Sequence, residues 1–194
     1  MKHYHFKVYK PFGMLSQMTS GENRQLRKKR FLGELYNFPE GIMPVGRLDE
    51  KSEGLLLMTT DGKLSDTINR AGIEKEYLAQ LDGLMTFEAM EKISKGVEIG
   101  IFGKKYITKP CEITLLNEPP TLPEAHPLLR IGRHRPTSWI RVIIKEGKFR
   151  QIRKMTAAVG FPTVRLIRVR IGEITLEPLY PAEVIPVTID QASF

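Results

Sequence analysis

Asp49 is a short carboxylate in the stretch Gly46-Arg47-Leu48-Asp49, followed by Glu50, Lys51, Ser52 and Glu53 and then by the apolar run Leu55-Leu56-Leu57-Met58. An acid between a glycine turn and a buried strand has two readings. It can simply shape the turn. It can also be held rigidly at the strand entrance and act as a nucleophile or base that needs no cofactor. Such a carboxylate is oriented and kept ionised by a cation, which lowers its pKa and can grip it with two parallel hydrogen bonds. Arg153 is a candidate for that cation, although an arginine there can equally hold a phosphate. Tyr77, in Glu74-Lys75-Glu76-Tyr77, stands at a strand start, where a ring is either core packing or a wall against which a planar group stacks. A third pattern is a decoy. Gly41 to Arg47 has the glycine spacing of a phosphate loop but lacks the following Lys and Ser/Thr, and Pro44 removes an N–H.

Composition narrows the partner. The 194 residues carry net charge +8, and that excess sits in one place. From Arg130 to Arg170 there are nine Arg and three Lys against one acid, Glu146, a net of +11; the remainder has 18 basic and 21 acidic residues, a net of −3. A short basic run would be a solvated face. This one is interleaved with Ile, Val, Leu, Phe and Trp, so it must fold while presenting charge, which points to nucleic acid. Arg130, Arg133, Arg135, Lys148, Arg150, Lys154, Arg165 and Arg168 are the expected phosphate contacts. Cys111 is alone, and His3, His5, His126 and His134 have no zinc spacing, so neither a disulfide nor a metal is expected. No segment approaches the ~20 apolar residues of a membrane span, and the start lacks a signal-peptide run. A reducing cytoplasmic setting fits.

These residues need elements to position them. His3 to Lys10 alternates as a half-buried strand, with Tyr4, Phe6 and Val8 facing one way, and Pro11 and Gly13 end it. Residues 16–30 read as an exposed basic loop ending in Arg27-Lys28-Lys29-Arg30. Leu55 to Met58 suits a strand buried on both faces. Asp61 caps a helix running to about Arg70. Tyr77 to Leu81 is a strand. Thr86 caps a helix bearing Phe87, Met90 and Ile93 and closed by Gly96. Residues 97–117 are further strands; residues 117–137, with five of the thirteen prolines, are a loop. Trp139 to Lys145 is a strand. Phe149, Ile152, Met155 and Val159 mark one face of a helix that carries Arg150, Arg153 and Lys154 on another. Strands from Val164 to Arg170 and from Glu173 to Glu177 close the chain. Without a regular βαβ rhythm, the class is α+β.

Several stretches together resemble the RsuA-type family of pseudouridine synthases. They are Lys10-Pro11-Phe12-Gly13 with Ser16, GRLDEKSEGLLLMTTDG at 46–62, Lys75-Glu76-Tyr77, EGKFRQIRKM at 146–155 and VRLIRVRIGEI at 164–174, so the likeness spans nearly the whole chain. The resemblance implies a mixed, largely antiparallel sheet split over two subdomains with a central cleft. We place one at about 1–72 plus 178–194 and the other at about 73–177. It implies isomerisation of a uridine with no cofactor or metal. The family's catalytic aspartate falls on Asp49, its active-site tyrosine on Tyr77, the arginine that pairs with the aspartate on Arg153, and the apolar base-pocket residue on Leu166; Arg47 supports from the aspartate's own segment. A uridine of 23S ribosomal RNA is the implied substrate. The same catalytic block would serve a transfer-RNA synthase, and the charge alone would serve a non-catalytic RNA-binding assembly factor. Two departures stand out. The S4 module that leads many relatives is not expected here, as in the E-type members, and Arg150 stands where some relatives have His. A monomer is expected.

Overall fold

β1 (His5–Lys10) starts the first of two units, which comprises residues 1–73 and 167–194; the second comprises 74–166. The computed structural model describes residues 2–70, 72–133, 135–189 and 193–194, with Leu26 by its backbone alone. His134 and residues 190–192 of the expected 178–194 segment therefore fall outside the described residues.

In the first unit β1 is followed by β2 (Met14–Leu15), the short helix α1 (Asn23–Leu26), β3 (Arg30–Phe31), a 3-10 turn at Leu32–Glu34, β4 (Met43–Pro44), β5 (Glu53–Thr59) and α2 (Gly62–Arg70). The second unit holds β6 (Lys75–Asp82), α3 (Phe87–Lys95), β7 (Glu98–Ile101), β8 (Lys104–Ile107), β9 (Glu112–Leu116), β10 (Thr137–Ile144) and α4 (Gln151–Ala158). β11 (Thr163–Ile171) begins in the second unit and ends in the first, where β12 (Ile174–Thr175) and β13 (Val184–Pro186) complete the chain. The class is α+β, as the missing βαβ rhythm implies.

The first unit's sheet runs β13-β1-β5-β11. β1 is antiparallel to both of its neighbours, whereas β11 is parallel to β5, with Ile167 opposite Glu53 and Arg168 opposite Gly54. All seven residues of β5 are buried, as its unbroken apolar run requires. Phe6, Val8, Met14, Leu32, Ile42, Leu56 and Met58 form a core on one side. In the second unit β10 lies between β6 and β9, antiparallel to both, and β7 and β8 form a separate hairpin. The mixed, mostly antiparallel pairing matches the sequence reading.

The caps are legible in the contacts. Asp61 Oδ1 accepts from the N–H groups of Lys63 and Leu64 at 2.9 and 3.1 Å, and Thr86 Oγ1 accepts from the Ala89 N–H at 3.3 Å. Four expectations are corrected. β1 is buried on both faces, because it lies between two strands and Lys7 donates to the carbonyls of Thr175 and Glu177. Residues 167–177 belong to the first unit, because β11 pairs with β5 there. The 16–30 stretch holds α1 and the first residue of β3, which pairs in parallel with β2, although Arg27 and Lys28 stay exposed. Phe87 and Phe149 are 71% and 50% exposed; Ala89 and Ile93 bury α3, while Ile152 and Met155, joined by Gln151 and Thr156, bury α4.

Candidate active site

Asp49 is half-buried, in a loop held by its main chain on both sides. Ser16, itself buried, accepts from the Leu48 N–H at 3.0 Å and donates to the Leu48 carbonyl at 2.8 Å through one hydroxyl. On the other side the Glu50 carbonyl accepts from the Gly13 N–H at 2.8 Å and from Lys10 Nζ at 3.4 Å. The Asp49 carbonyl accepts from the Ser52 N–H at 2.9 Å. The main chain of the residue before the carboxylate and of the residue after it is thus tied to the segment Lys10–Ser16, by the Ser16 hydroxyl, the Lys10 ammonium and the Gly13 N–H. Gly13, at φ +80°, gives that segment its turn.

Lys10 has no solvent exposure and also donates to the carbonyls of Met14 (2.7 Å) and Pro11 (2.9 Å). Burial pushes its ammonium from 10.5 down to about 7. The carboxylates of Glu53, Asp49 and Glu50 pull the other way, and Arg168 adds to the lowering. Arg47 is exposed and lines a hollow of about 440 Å³ with Ser16, Gln17, Met18, Pro44, Gly46 and Asn69. The glycine-spaced segment beside it is not a phosphate cradle. Met43 and Pro44 pair with β5, and the Val45 N–H is taken by the Leu57 carbonyl at 2.8 Å.

The other candidates stand in the second unit, each described there. Tyr77, 8% exposed, lies in β6 opposite Val142 of β10. Beside it Glu76 accepts from Arg141 at 2.7 and 3.3 Å. Leu166, 6% exposed, is the last residue of that unit. Arg153 is half-buried on α4, and its Nη1 donates to the Thr163 carbonyl at 3.1 Å. Asp49 and Arg47 therefore belong to one unit, and Tyr77, Arg153 and Leu166 to the other.

The expected phosphate contacts divide. Arg130, Arg133, Lys148 and Arg150 are exposed, and Lys154 is half-buried with Nζ donating to the Gly100 carbonyl at 2.6 Å. Arg135 is exposed yet engaged, at 3.3 Å from Asp82 and donating to the Gly160 carbonyl at 3.0 Å. Arg165 and Arg168 depart from the sequence reading: they are 5% and 4% exposed and donate to the carbonyls of Pro123 (3.0 Å) and Leu55 (2.7 Å). Their guanidiniums bind the fold's own main chain. Glu146, the one acid of the basic segment, accepts from Tyr106 OH, the Lys109 N–H and Gln151 Nε2 at 2.5, 2.8 and 2.6 Å. Burial alone would raise its carboxyl, but these donors and Lys148 hold it below its ordinary value. Sequence reasoning assigned no role to Lys10, Ser16, Ser52 or Glu53. The signal was present in Lys10-Pro11-Phe12-Gly13 with Ser16, whose spacing suits a turn that folds back on another loop.

Residues 4–158 match the family model described as RNA pseudouridylate synthase, a span that includes Asp49, Tyr77 and Arg153. The chain belongs to the RNA pseudouridylate synthase family and is an isomerase acting on uridine in RNA. Among its relatives, ribosomal large subunit pseudouridine synthase E of Vibrio parahaemolyticus is 37% identical over 176 residues, covering 90% of this chain and 69% of the relative. The protein of the same description from Xanthomonas campestris is 38% identical, covering 90% of each. A crystal structure of a pseudouridylate synthase superposes with a TM-score of 0.76 at 26% identity, covering 96% of this chain and 71% of that one. No helix among the described residues is long and apolar enough to cross a membrane.

Proposed function

We propose that this protein converts a specific uridine of large-subunit (23S) ribosomal RNA to pseudouridine, with Asp49 as the catalytic carboxylate. The observation that carries the reading is the two-sided backbone clamp on the Asp49 loop, formed by Ser16 on Leu48 and by Gly13 and Lys10 on Glu50. A turn aspartate has no need of such a clamp, whereas a reacting group must be held to a fraction of an ångström. The ribosomal large subunit descriptions of the relatives support the substrate.

In this reading the RNA is gripped mostly through phosphates by the exposed cations, and a uridine is extruded from its stack at a cost of a few kcal/mol. Tyr77 stacks on the freed base. Arg153 brings positive charge to the nucleotide, and Asp49 drives cleavage of the bond between C1′ and N1, by attack at the sugar or by taking a proton from it. The base turns and C5 bonds to C1′ as Asp49 leaves the sugar or returns the proton it took; the C5 proton then leaves and N1 gains one. Atoms balance without a co-reactant, so no cofactor is needed. Arg47 and Leu166 shape the surroundings of the nucleotide. The protein works as a monomer in the cytoplasm.

The test is Asp49→Asn. Pseudouridine formation in ribosomal RNA should vanish while the dissociation constant for the same RNA stays near the parent's. An active Asn variant would remove Asp49 from the chemistry. Mapping pseudouridine in both ribosomal subunits and in transfer RNA, with and without the gene, fixes the substrate; loss in another RNA class alone would overturn the large-subunit assignment.

A further inference from the structure

Among the described residues, three that are not glycine have positive φ, namely Phe102, Arg150 and Ala182, and two of them meet in one exposed patch of the second unit. Phe102 (φ +48°) and Gly103 (φ +79°) are the two central residues of the β7–β8 hairpin. That turn favours Asn or Gly at its first position. A bulky aromatic in the left-handed region is costly, and here the ring gains no burial in return, being 82% exposed. Instead it stacks on Phe149, also exposed, with ring centroids 5.2 Å apart and planes at 22°. Phe149 directly precedes Arg150 (φ +53°), the residue that caps α4.

Cations surround the two rings. Lys154 Nζ lies 4.9 Å from the Phe149 ring centre, and Lys148 Nζ lies 4.9 Å from that of Tyr106, next to the hairpin's tip. Lys104, Lys105 and Arg150 are exposed. Of the acids nearby, Glu98 is paired with Lys105 at 3.0 Å, and Glu146 is taken up by Tyr106, Lys109 and Gln151. An exposed aromatic step ringed by cations is the composition that binds single-stranded nucleic acid: the base stacks on the ring and the charges take the flanking phosphates.

We propose that Phe102 and Phe149 form a stacking platform for an unpaired nucleotide of the RNA substrate, outside the Asp49 site. Lys104, Lys148 and Arg150 hold the phosphates on either side of that nucleotide. The proposal rests on the reading of the chain as an RNA enzyme and adds that its substrate carries a single-stranded element which this patch recognises. The strained turn is retained because it presents the ring.

The experiment uses the full chain carrying Asp49→Asn, so that binding is read without catalysis. The probe is a single-stranded oligoribonucleotide containing 2-aminopurine, compared with the same strand annealed to its complement. Binding should quench the probe. Phe102→Asn, which suits the turn, and Phe102→Leu, which keeps apolar bulk without a ring, should each weaken single-strand binding about 5- to 100-fold and abolish the quench, leaving duplex binding as it was. Phe102→Trp should restore both. Unchanged single-strand binding in Phe102→Asn, parental behaviour of Phe102→Leu, or equal weakening of single strand and duplex together with a fall in Tm would overturn the platform and make the ring pair a mere fastening of hairpin to helix. Pseudouridine formation by the unaltered protein is scored separately, so failure of the platform and failure of the proposed function give different results.

Discussion

Lys10 is the residue whose chemistry depends most on where the chain places it. Its amine is buried among the carbonyls of Pro11, Met14 and Glu50, and burial brings its pKa to about 7. In the unfolded chain the same amine titrates near 10.5. Between those values the unfolded chain binds a proton that the folded chain does not, so this residue's contribution to stability rises with pH across the window. Below it both states are protonated and the burial cost remains in full. Lys10→Met removes that slope. Urea unfolding followed from about pH 6.5 to 9.5 should show the parent gaining on the variant as pH rises; parallel curves would mean that the amine titrates normally. The same residue holds the Glu50 carbonyl, so its protonation and the setting of Asp49 share one group.

At the scale of the element, the entry of β5 is a tight point in the first unit. Gly54 has φ +102°, and a Cβ there would come within 2.3 Å of the Arg168 carbonyl on the parallel strand β11. Gly54→Ala should cost about 3 kcal/mol or more in urea unfolding. Gly13→Ala, also at positive φ (+80°) but with open space around it, should cost about 1 kcal/mol. Equal losses would show that backbone conformation alone is at stake. The elements themselves were readable in the sequence where one physical signal dominated. Leu55 to Met58 has no polar residue to place, and Asp61 and Thr86 stand where a helix's first N–H groups need acceptors. The reading failed where charge or apolarity was taken to fix exposure. Lys7, Lys10, Arg165 and Arg168 are buried because each cation finds backbone carbonyls, which no spacing announces. Phe87 is exposed because it opens α3 on the face away from Ala89 and Ile93, and Phe149 because it lies in the turn before α4. Asp49 was legible as a candidate from its segment; the clamp was not, because the Ser16 hydroxyl, the Lys10 ammonium and the Gly13 N–H all bind main-chain atoms of Leu48 and Glu50, which any residue there would offer.

Across the whole molecule the +11 of residues 130–170 is only partly available to a polyanion. Arg153, Arg165, Arg168 and Arg170 donate to internal carbonyls, and Arg135 and Arg141 pair with Asp82 and Glu76. Arg130 and Arg133 are exposed and carry the cleaner test. Changing both to Gln should weaken RNA binding and lower the slope of log affinity against log salt by about 1.5; an unchanged slope would take this stretch away from the phosphates. The two units also differ in how the chain supplies them. The second is one continuous stretch, 74–166, while the first is written in two pieces, 1–73 and 167–194. During synthesis from the N-terminus, the second unit can therefore emerge complete while the first still waits for β11 and β13, the strands that flank β5 and β1. The carboxylate-bearing loop is translated early, but the sheet beneath it closes only once β13 has emerged.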